Sequence, residues 1–219
     1  MEDFSGIPAS AVAQALSRLT RQGKLQRLSK GVYYSARQTA LGKSAPNPAA
    51  ARKLAARDKN IFPAGIAAAN LLGFTTQSPG RGEVATSGFS LPRKLLGHDT
   101  VVHTRRPEAW TGLSEMDAAL LDLLRRGGRS SELSPQQTIR RLVSLLRDDG
   151  RFERLLKVAE TEPPRVRALL GALGEELGKK PRALESLRAS LNRLSRFDFG
   201  VLTALPAARR WQAKERHPA

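Results

Sequence analysis

The chain has 219 residues, 37 Lys and Arg against 20 Asp and Glu, no Cys, and 40% apolar residues. This length can bury a sizeable core, as one large domain or two small ones, so global disorder is excluded. The lack of Cys excludes disulfide-stapled folds, thiolate metal sites and cysteine redox chemistry. No run approaches about 18 apolar residues, and the N-terminus opens acidic, so we expect a soluble cytoplasmic protein without a membrane partner.

The formal net charge of +17 predicts attraction to polyanions, most often nucleic acid. The physical reason is that Lys and Arg bound to phosphates release condensed counterions. Residues 1–60 hold 11 basic and 3 acidic side chains, 61–112 hold 5 and 3, and 113–219 hold 21 and 14. Basic residues therefore outnumber acidic ones most strongly in the N-terminal part. In the last part Arg and Glu interleave at helical spacing, which is typical of a solvated helical surface.

The first predicted elements are a helix and a two-stranded hairpin. Apolar residues recur at helical spacing over Ser10–Gln22, which predicts a helix with its first residue as N-cap and Gly23 as the residue that ends it. Residues 24–28 and 32–34 are two short segments with the alternating pattern of strands. They stand on either side of a turn in which Gly31 can adopt a positive φ. The N-terminal order is therefore helix, strand, turn, strand.

The remaining elements are predicted from periodicity and from turn residues. In the middle of the chain we expect helices at 49–57 and 64–72 and strands at 83–87, 93–96 and 100–105, the last two joined by a turn at 97–99. Beyond Trp110 the pattern changes to helices. We expect them at 115–124 with a capping-box-like start at Ser114, from Pro135 onward, at 166–177 and at 183–194.

The predicted fold class is α+β. An N-terminal partial winged helix-turn-helix occupies residues 1–37, and a linker rich in Ala, Ser, Asn and Pro occupies 38–50. The C-terminal domain spans 51–219. It comprises a small antiparallel sheet at about 61–112 and a helical half at about 113–219.

A helix followed by a basic hairpin is the second half of a winged helix-turn-helix. In that module the helix enters the major groove, and the hairpin tip touches a nearby phosphate or the minor groove. Arg pairs with guanine, Gln pairs with adenine, and Lys neutralises phosphates. The candidate base-facing residues are Gln14, Ser17, Arg18 and Arg21, and the candidate backbone-facing residues are Lys24, Arg27 and Lys30. The alternative is a structural module or a protein-binding wing.

Catalytic and metal-binding patterns are weak. The histidines are His98, His103 and His217. They show no i, i+4 pairing, so we predict no zinc site. A nuclease would need clustered carboxylates to hold Mg²⁺, and Glu83, Asp99 and Glu108 match no such motif. We therefore predict no catalytic residue, no metal, no cofactor and no enzymatic activity.

Segments that together resemble a known family extend over most of the chain. They are Ala11–Leu19, Gln22–Arg27, Lys30–Tyr34, Pro63–Gly65, Ala69–Gly73, Thr76–Gln77, Arg93–Arg106, Pro163–Gly171, Leu187–Asn192 and Phe197–Gly200. Their order resembles AbiEi-like antitoxins, the antitoxin half of abortive-infection toxin–antitoxin pairs. The resemblance implies a DNA-binding antitoxin that represses its own operon through inverted repeats and counteracts a nucleotidyltransferase-like toxin encoded beside it. Binding at a palindrome would need a homodimer.

The resemblance departs from the family at the start of the chain. The family module begins with a further helix before Phe4–Pro8, and three residues precede Phe4 here. Either the start of this chain is set too late, or the winged helix is incomplete, with an under-filled core and weakened DNA affinity. Two other classes stay open. One is a winged-helix transcriptional regulator with a partner- or ligand-binding C-terminal domain, and the other is a metal-dependent nuclease.

Overall fold

The computed structural model describes residues 4, 6–40, 42–55, 60–91, 93–97, 99–147 and 150–215. The described chain combines helices with small sheets, which confirms the α+β class. It divides into two compact units. Unit 1 comprises Met1–Lys59 and Leu91–Thr100, and unit 2 comprises Asn60–Ser90 and Val101–Ala219.

Unit 1 opens with the predicted helix, α1 (Ala9–Arg21), and the predicted hairpin of β1 (Gln26–Ser29) and β2 (Val32–Tyr34). Both elements are confirmed. The N-cap is wrong by two positions, because Pro8, and not Ser10, precedes the helix and its carbonyl accepts the first helical hydrogen bond. The predicted end is correct, since Gly23 has a φ of +72° and its N–H donates to the Thr20 carbonyl.

The interval 38–50, predicted as a linker, contains regular structure. A second antiparallel hairpin pairs β3 (Gln38–Thr39) with β4 (Gly42–Lys43). Helix α2 (Pro48–Ala55) follows directly. Proline suggested a linker here, but its fixed φ and missing N–H are tolerated at the first position of a helix, where Pro48 stands.

Unit 2 begins with β5 (Phe62–Pro63), α3 (Gly65–Leu71) and β6 (Glu83–Ala85). The predicted helix at 64–72 and strand at 83–87 are thereby confirmed in slightly shorter form. Helix α3 contacts β6, and the side chains of Ala68 and Ala69 are fully buried.

The predicted strand at 93–96 is wrong. These residues form the short helix α4 (Arg93–Leu96), which belongs to unit 1 and contacts α2 and β1. A strand would bury alternate residues, but here Leu91 and Leu95, four positions apart, are the buried side chains. The predicted turn at 97–99 includes His98, which lies outside the described residues.

The sheet of unit 2 has the order β5-β6-β7, where β7 is Val101–His103. Strands β5 and β6 are antiparallel, whereas β6 and β7 are parallel. The predicted all-antiparallel sheet is therefore wrong. The segment between β6 and β7 is a crossover that includes α4 and not a hairpin turn, so β7 returns in the same direction as β6.

The helical half of unit 2 contains one helix that the sequence analysis missed. Its helices are α5 (Glu115–Arg125), α6 (Pro135–Arg147), α7 (Arg151–Val158), α8 (Pro164–Glu176) and α9 (Pro181–Ala189). Of these, α7 was not predicted, and α9 ends earlier than expected. The capping interaction at the start of α5 is confirmed, because the Ser114 hydroxyl accepts a hydrogen bond from the Asp117 N–H at 3.1 Å.

The core of unit 2 surrounds α8. This helix is buried on nearly all sides, and two of its glycines permit close packing. A Cβ at Gly171 would lie 2.2 Å from the Trp211 ring, and one at Gly174 would lie 2.6 Å from Leu184. Small residues thus allow bulky neighbours to approach the helix backbone. Among the helices described, none is both long enough and apolar enough to cross a lipid bilayer.

Candidate nucleic-acid interface

Helix α1 has an apolar face and a polar face. Val12 is buried, and Leu16 and Leu19 are half-buried on the same side. The opposite side follows the spacing i, i+3, i+4, i+7, which places side chains in one line along a helix. The residues at these positions are Gln14, Ser17, Arg18 and Arg21, and all four are exposed. The structure therefore brings the predicted base-facing residues onto one accessible face.

The first hairpin adds exposed cations beyond the end of α1. In its register Arg27 lies opposite Tyr33, and Ser29 lies opposite Val32, with an irregularity between Arg27 and Ser29. Lys30 is exposed at the turn, next to Gly31, whose φ is +79°. The positive φ explains why glycine suits this turn. Lys24 and Arg27 are exposed as well.

The seven candidate residues have no carboxylate partner within the described residues. Their one polar side-chain contact in this part is from Arg27 Nε to the Ser29 carbonyl at 3.3 Å. Residues 4–57 contain ten Lys and Arg and no Asp or Glu. A positive field of this kind is not neutralised from within the segment, so it is available to an external polyanion.

The second hairpin brings a cation that the sequence analysis did not include. Lys43 is exposed on β4, and its Nζ lies 3.7 Å from the point where a Cβ on Gly23 would stand. The Lys43 side chain therefore reaches the segment between α1 and β1. A sequence signal existed in the basic character of the segment, but the linker interpretation gave Lys43 no defined position.

A separate polar cluster in unit 2 joins β6, β7 and α5. His103 Nε2 lies 2.6 Å from Glu83 Oε1, and Arg126 donates a hydrogen bond to the same carboxylate. Arg126 Nε also donates to Asp122 at 3.0 Å. The carboxylates of this cluster are thus occupied by partners inside the protein, as in a structural ion-pair network.

The other candidates for metal chemistry do not join this cluster. Glu108 is exposed on a 3-10 helix, and Asp99 is exposed and belongs to unit 1. The described residues contain no group of three or more His, Asp or Glu side chains arranged to hold a metal ion. His98 and His217 lie outside the described residues.

Comparisons with known proteins give a family and one solved structure. The solved structure is the RV2827C protein from Mycobacterium tuberculosis, which has 21% sequence identity and a TM-score of 0.49, over 84% of this chain and 71% of that chain. No curated protein matches the chain. A family model described as a family of unknown function (DUF6088) matches residues 1–155. Because the match covers most of the chain, this protein belongs to the DUF6088 family.

Proposed function

We propose that the chain is a DNA-binding antitoxin that represses its own operon, and that unit 1 acts as its winged helix-turn-helix module. The observation that supports DNA binding is the exposed face of α1 beside a basic hairpin, in a segment without carboxylates. In this proposal α1 enters the major groove of operator DNA, and the β1–β2 hairpin lies on the adjacent backbone. No catalytic step, metal or cofactor is required, and the site of action is the cytoplasm.

The length of the α1 face fits a half-site. From Gln14 to Arg21 the helix rises about 10 Å, at about 1.5 Å per residue. Base pairs are spaced about 3.4 Å apart along the duplex, so this face spans about three of them. Three base pairs specify little sequence, and a palindromic operator would supply two such half-sites. We therefore propose that a homodimer binds inverted repeats.

The antitoxin role has separate support, namely the resemblance to AbiEi-like antitoxins. It predicts that unit 2 counteracts a nucleotidyltransferase-like toxin encoded beside this protein. The test is co-expression with a neighbouring nucleotidyltransferase reading frame, with growth as the readout. Rescue of growth by the full chain supports the role. Operator binding without rescue favours a winged-helix transcriptional regulator with a partner- or ligand-binding C-terminal domain.

DNA binding is tested by fluorescence anisotropy with the full chain. The duplexes are the DNA upstream of the reading frame and a random sequence of equal length, each titrated at several salt concentrations. We expect tighter binding to the upstream DNA and an affinity for both duplexes that falls as salt rises. Equal affinity for both duplexes, or none for either, contradicts the proposed repressor.

Two substitutions separate base contacts from phosphate contacts. Arg18→Ala should reduce the preference for the upstream DNA by about 1–3 kcal/mol, because Arg18 is placed to pair with a base. Lys30→Ala should weaken binding to both duplexes alike and reduce the salt slope by about one, because Lys30 is placed at a phosphate.

The matched control for both is Arg182→Ala, which removes one exposed positive charge from α9 in unit 2. This change should leave the preference and the salt slope close to those of the unmodified chain. If Arg18→Ala and Lys30→Ala reduce binding to both duplexes equally, the assignment of Arg18 to a base is wrong.

A further inference from the structure

We infer that the β3–β4 hairpin is a second phosphate-binding element, in which Lys43 contacts the backbone of the duplex that α1 engages. This inference rests on the proposed function and extends it to a segment outside the predicted winged helix. The ligand is the phosphodiester backbone of double-stranded DNA.

The hairpin holds Lys43 in a defined position. Its strands are closed by two hydrogen bonds. The Ser44 N–H donates to the Arg37 carbonyl at 2.8 Å, and the Arg37 N–H donates to the Ser44 side-chain hydroxyl at 2.9 Å. Across the turn, the Thr39 hydroxyl donates to the Gly42 carbonyl at 2.6 Å. Lys43 lies directly opposite Gln38, and both are exposed. These contacts order the backbone that carries Lys43, so less of the chain has to be ordered when its side chain binds a phosphate.

Lys43 reaches a glycine that has basic residues close to it in the sequence. Its Nζ lies beside Gly23, and Arg21 and Lys24 stand two positions before and one position after that glycine. The hairpin thus adds a third positive charge at the C-terminal end of α1.

The partial negative charge at the end of α1 is too small to balance three cations. The C-terminus of a helix carries roughly half a negative charge, and this attraction is worth about 0.3–1 kcal/mol at an exposed site. Residues 4–57 supply no carboxylate. Positive charge therefore remains in excess at this position, and it is complementary to the closely spaced phosphates of a duplex.

The test is the Lys43→Gln variant in the anisotropy titration with both duplexes. One lost phosphate contact should reduce the salt slope by about 0.9, which corresponds to an affinity loss of up to about eightfold at 0.1 M salt. The loss should be equal for the upstream and the random duplex. Lys43→Arg should restore both affinity and slope, since it keeps the charge.

The control is Lys214→Gln, which removes the same charge from an exposed position in unit 2. Thermal unfolding of each variant separates binding from folding. Lys43→Gln and Lys214→Gln can have the same salt slope while Lys30→Ala weakens binding. In that case the β3–β4 hairpin is not a phosphate-binding element, and the proposed function stands. A lowered unfolding temperature with an unchanged slope shows that Lys43 only stabilises the end of α1, which also refutes the inference. If the unmodified chain binds neither duplex, the proposed function fails and the inference fails with it.

Discussion

Three carboxylates of unit 2, Asp117, Asp122 and Glu162, are almost completely buried. Asp117 forms ion pairs with Arg151 and Arg154, Asp122 forms them with Arg106 and Arg126, and Glu162 pairs with Arg125. The nitrogen-to-oxygen distances lie between 2.7 and 3.2 Å. Removing one member of a buried pair typically costs about 3–5 kcal/mol, because the other charge stays unpaired. Part of the positive charge of unit 2 is therefore compensated internally, whereas residues 4–57 contain no acidic side chain.

Gly65 is required by two independent features of its position. Its φ is +57°, and a Cβ there would lie 1.5 Å from Glu83 Oε2. Gly65→Ala should therefore strain the backbone and displace Glu83 from Arg126 and His103. We expect the free energy of unfolding to fall by roughly 1–3 kcal/mol or more, as measured by urea denaturation.

The matched control for this change is Gly80→Ala. Gly80 is exposed, its φ lies outside the positive range, and a Cβ there would meet nothing within 4 Å. This substitution should change the free energy of unfolding by less than about 0.5 kcal/mol. Equal stability of the two variants would show that Glu83 moves aside without cost.

Asp198 links the stability of unit 2 to acid pH. The Gly200 N–H, which donates to Asp198 Oδ1 at 2.8 Å, and then Arg129 hold the pKa of this carboxyl below its ordinary value of 3.8. A lowered folded-state pKa means that Asp198 stabilises the protein above pH 3.8 and loses this effect as pH falls through the folded-state pKa.

Asp198→Asn should therefore lower the free energy of unfolding at pH 7, and the difference from the unmodified chain should shrink below pH 3.8. Urea denaturation at pH 7 and at pH 3 measures both values. Glu108→Gln removes an exposed carboxylate that has no ion-pair partner among the described residues, and serves as the control. A difference for Asp198→Asn that is the same at both pH values would contradict this account.

At the scale of elements, strong amphipathic periods predicted structure well. The stripes of α1 and α6 place apolar side chains at helical spacing, and α5 combines a capping signal with a continuous apolar run. Each of these helices lies where the sequence predicts it. Short elements were harder. Helix α4 has four residues, so it presents only one buried leucine within its own length, and a single apolar position cannot distinguish a helix from a strand.

The parallel pairing of β6 and β7 and the helix α7 depend on contacts distant in sequence. Each strand has three residues, which is too short for periodicity to indicate a partner or a direction. Helix α7 has eight residues and buries Phe152 and Leu155 against the rest of unit 2. Isolated helices of this length are marginal, so tertiary packing stabilises it more than local propensity does.

Only part of the candidate interface was predictable, because only part of it belongs to a periodic element. Exposure of Gln14, Arg18 and Arg21 follows from the helical period of α1, because the apolar residues fix which side is buried. The position of Lys43 does not follow from any period. It depends on a hairpin with two residues in each strand, closed by contacts between Arg37 and Ser44.

At the scale of the whole molecule, the two units differ greatly in their cores. The main cluster of buried apolar side chains lies entirely in unit 2, from Phe62 to Ala213. In unit 1, the buried apolar side chains among the described residues are Val12, Ala51, Ala55, Leu91 and Leu95. Since buried apolar area is the dominant stabilising contribution, unit 1 should open at a lower free energy than unit 2.

Hydrogen exchange of the full chain, followed by mass spectrometry, tests this difference and connects it to DNA binding. Amides of α1 should exchange more than about tenfold faster than those of α8, which corresponds to an opening free energy lower by about 1.4 kcal/mol. Upstream DNA at 100 times its dissociation constant should stabilise the bound unit by about 2.7 kcal/mol and slow exchange in α1 and β1–β2 roughly a hundredfold. Helix α8 should be little affected, and it serves as the internal reference. If α1 and α8 exchange at the same rate without DNA, the chain opens as one cooperative unit and the small core of unit 1 does not limit its stability.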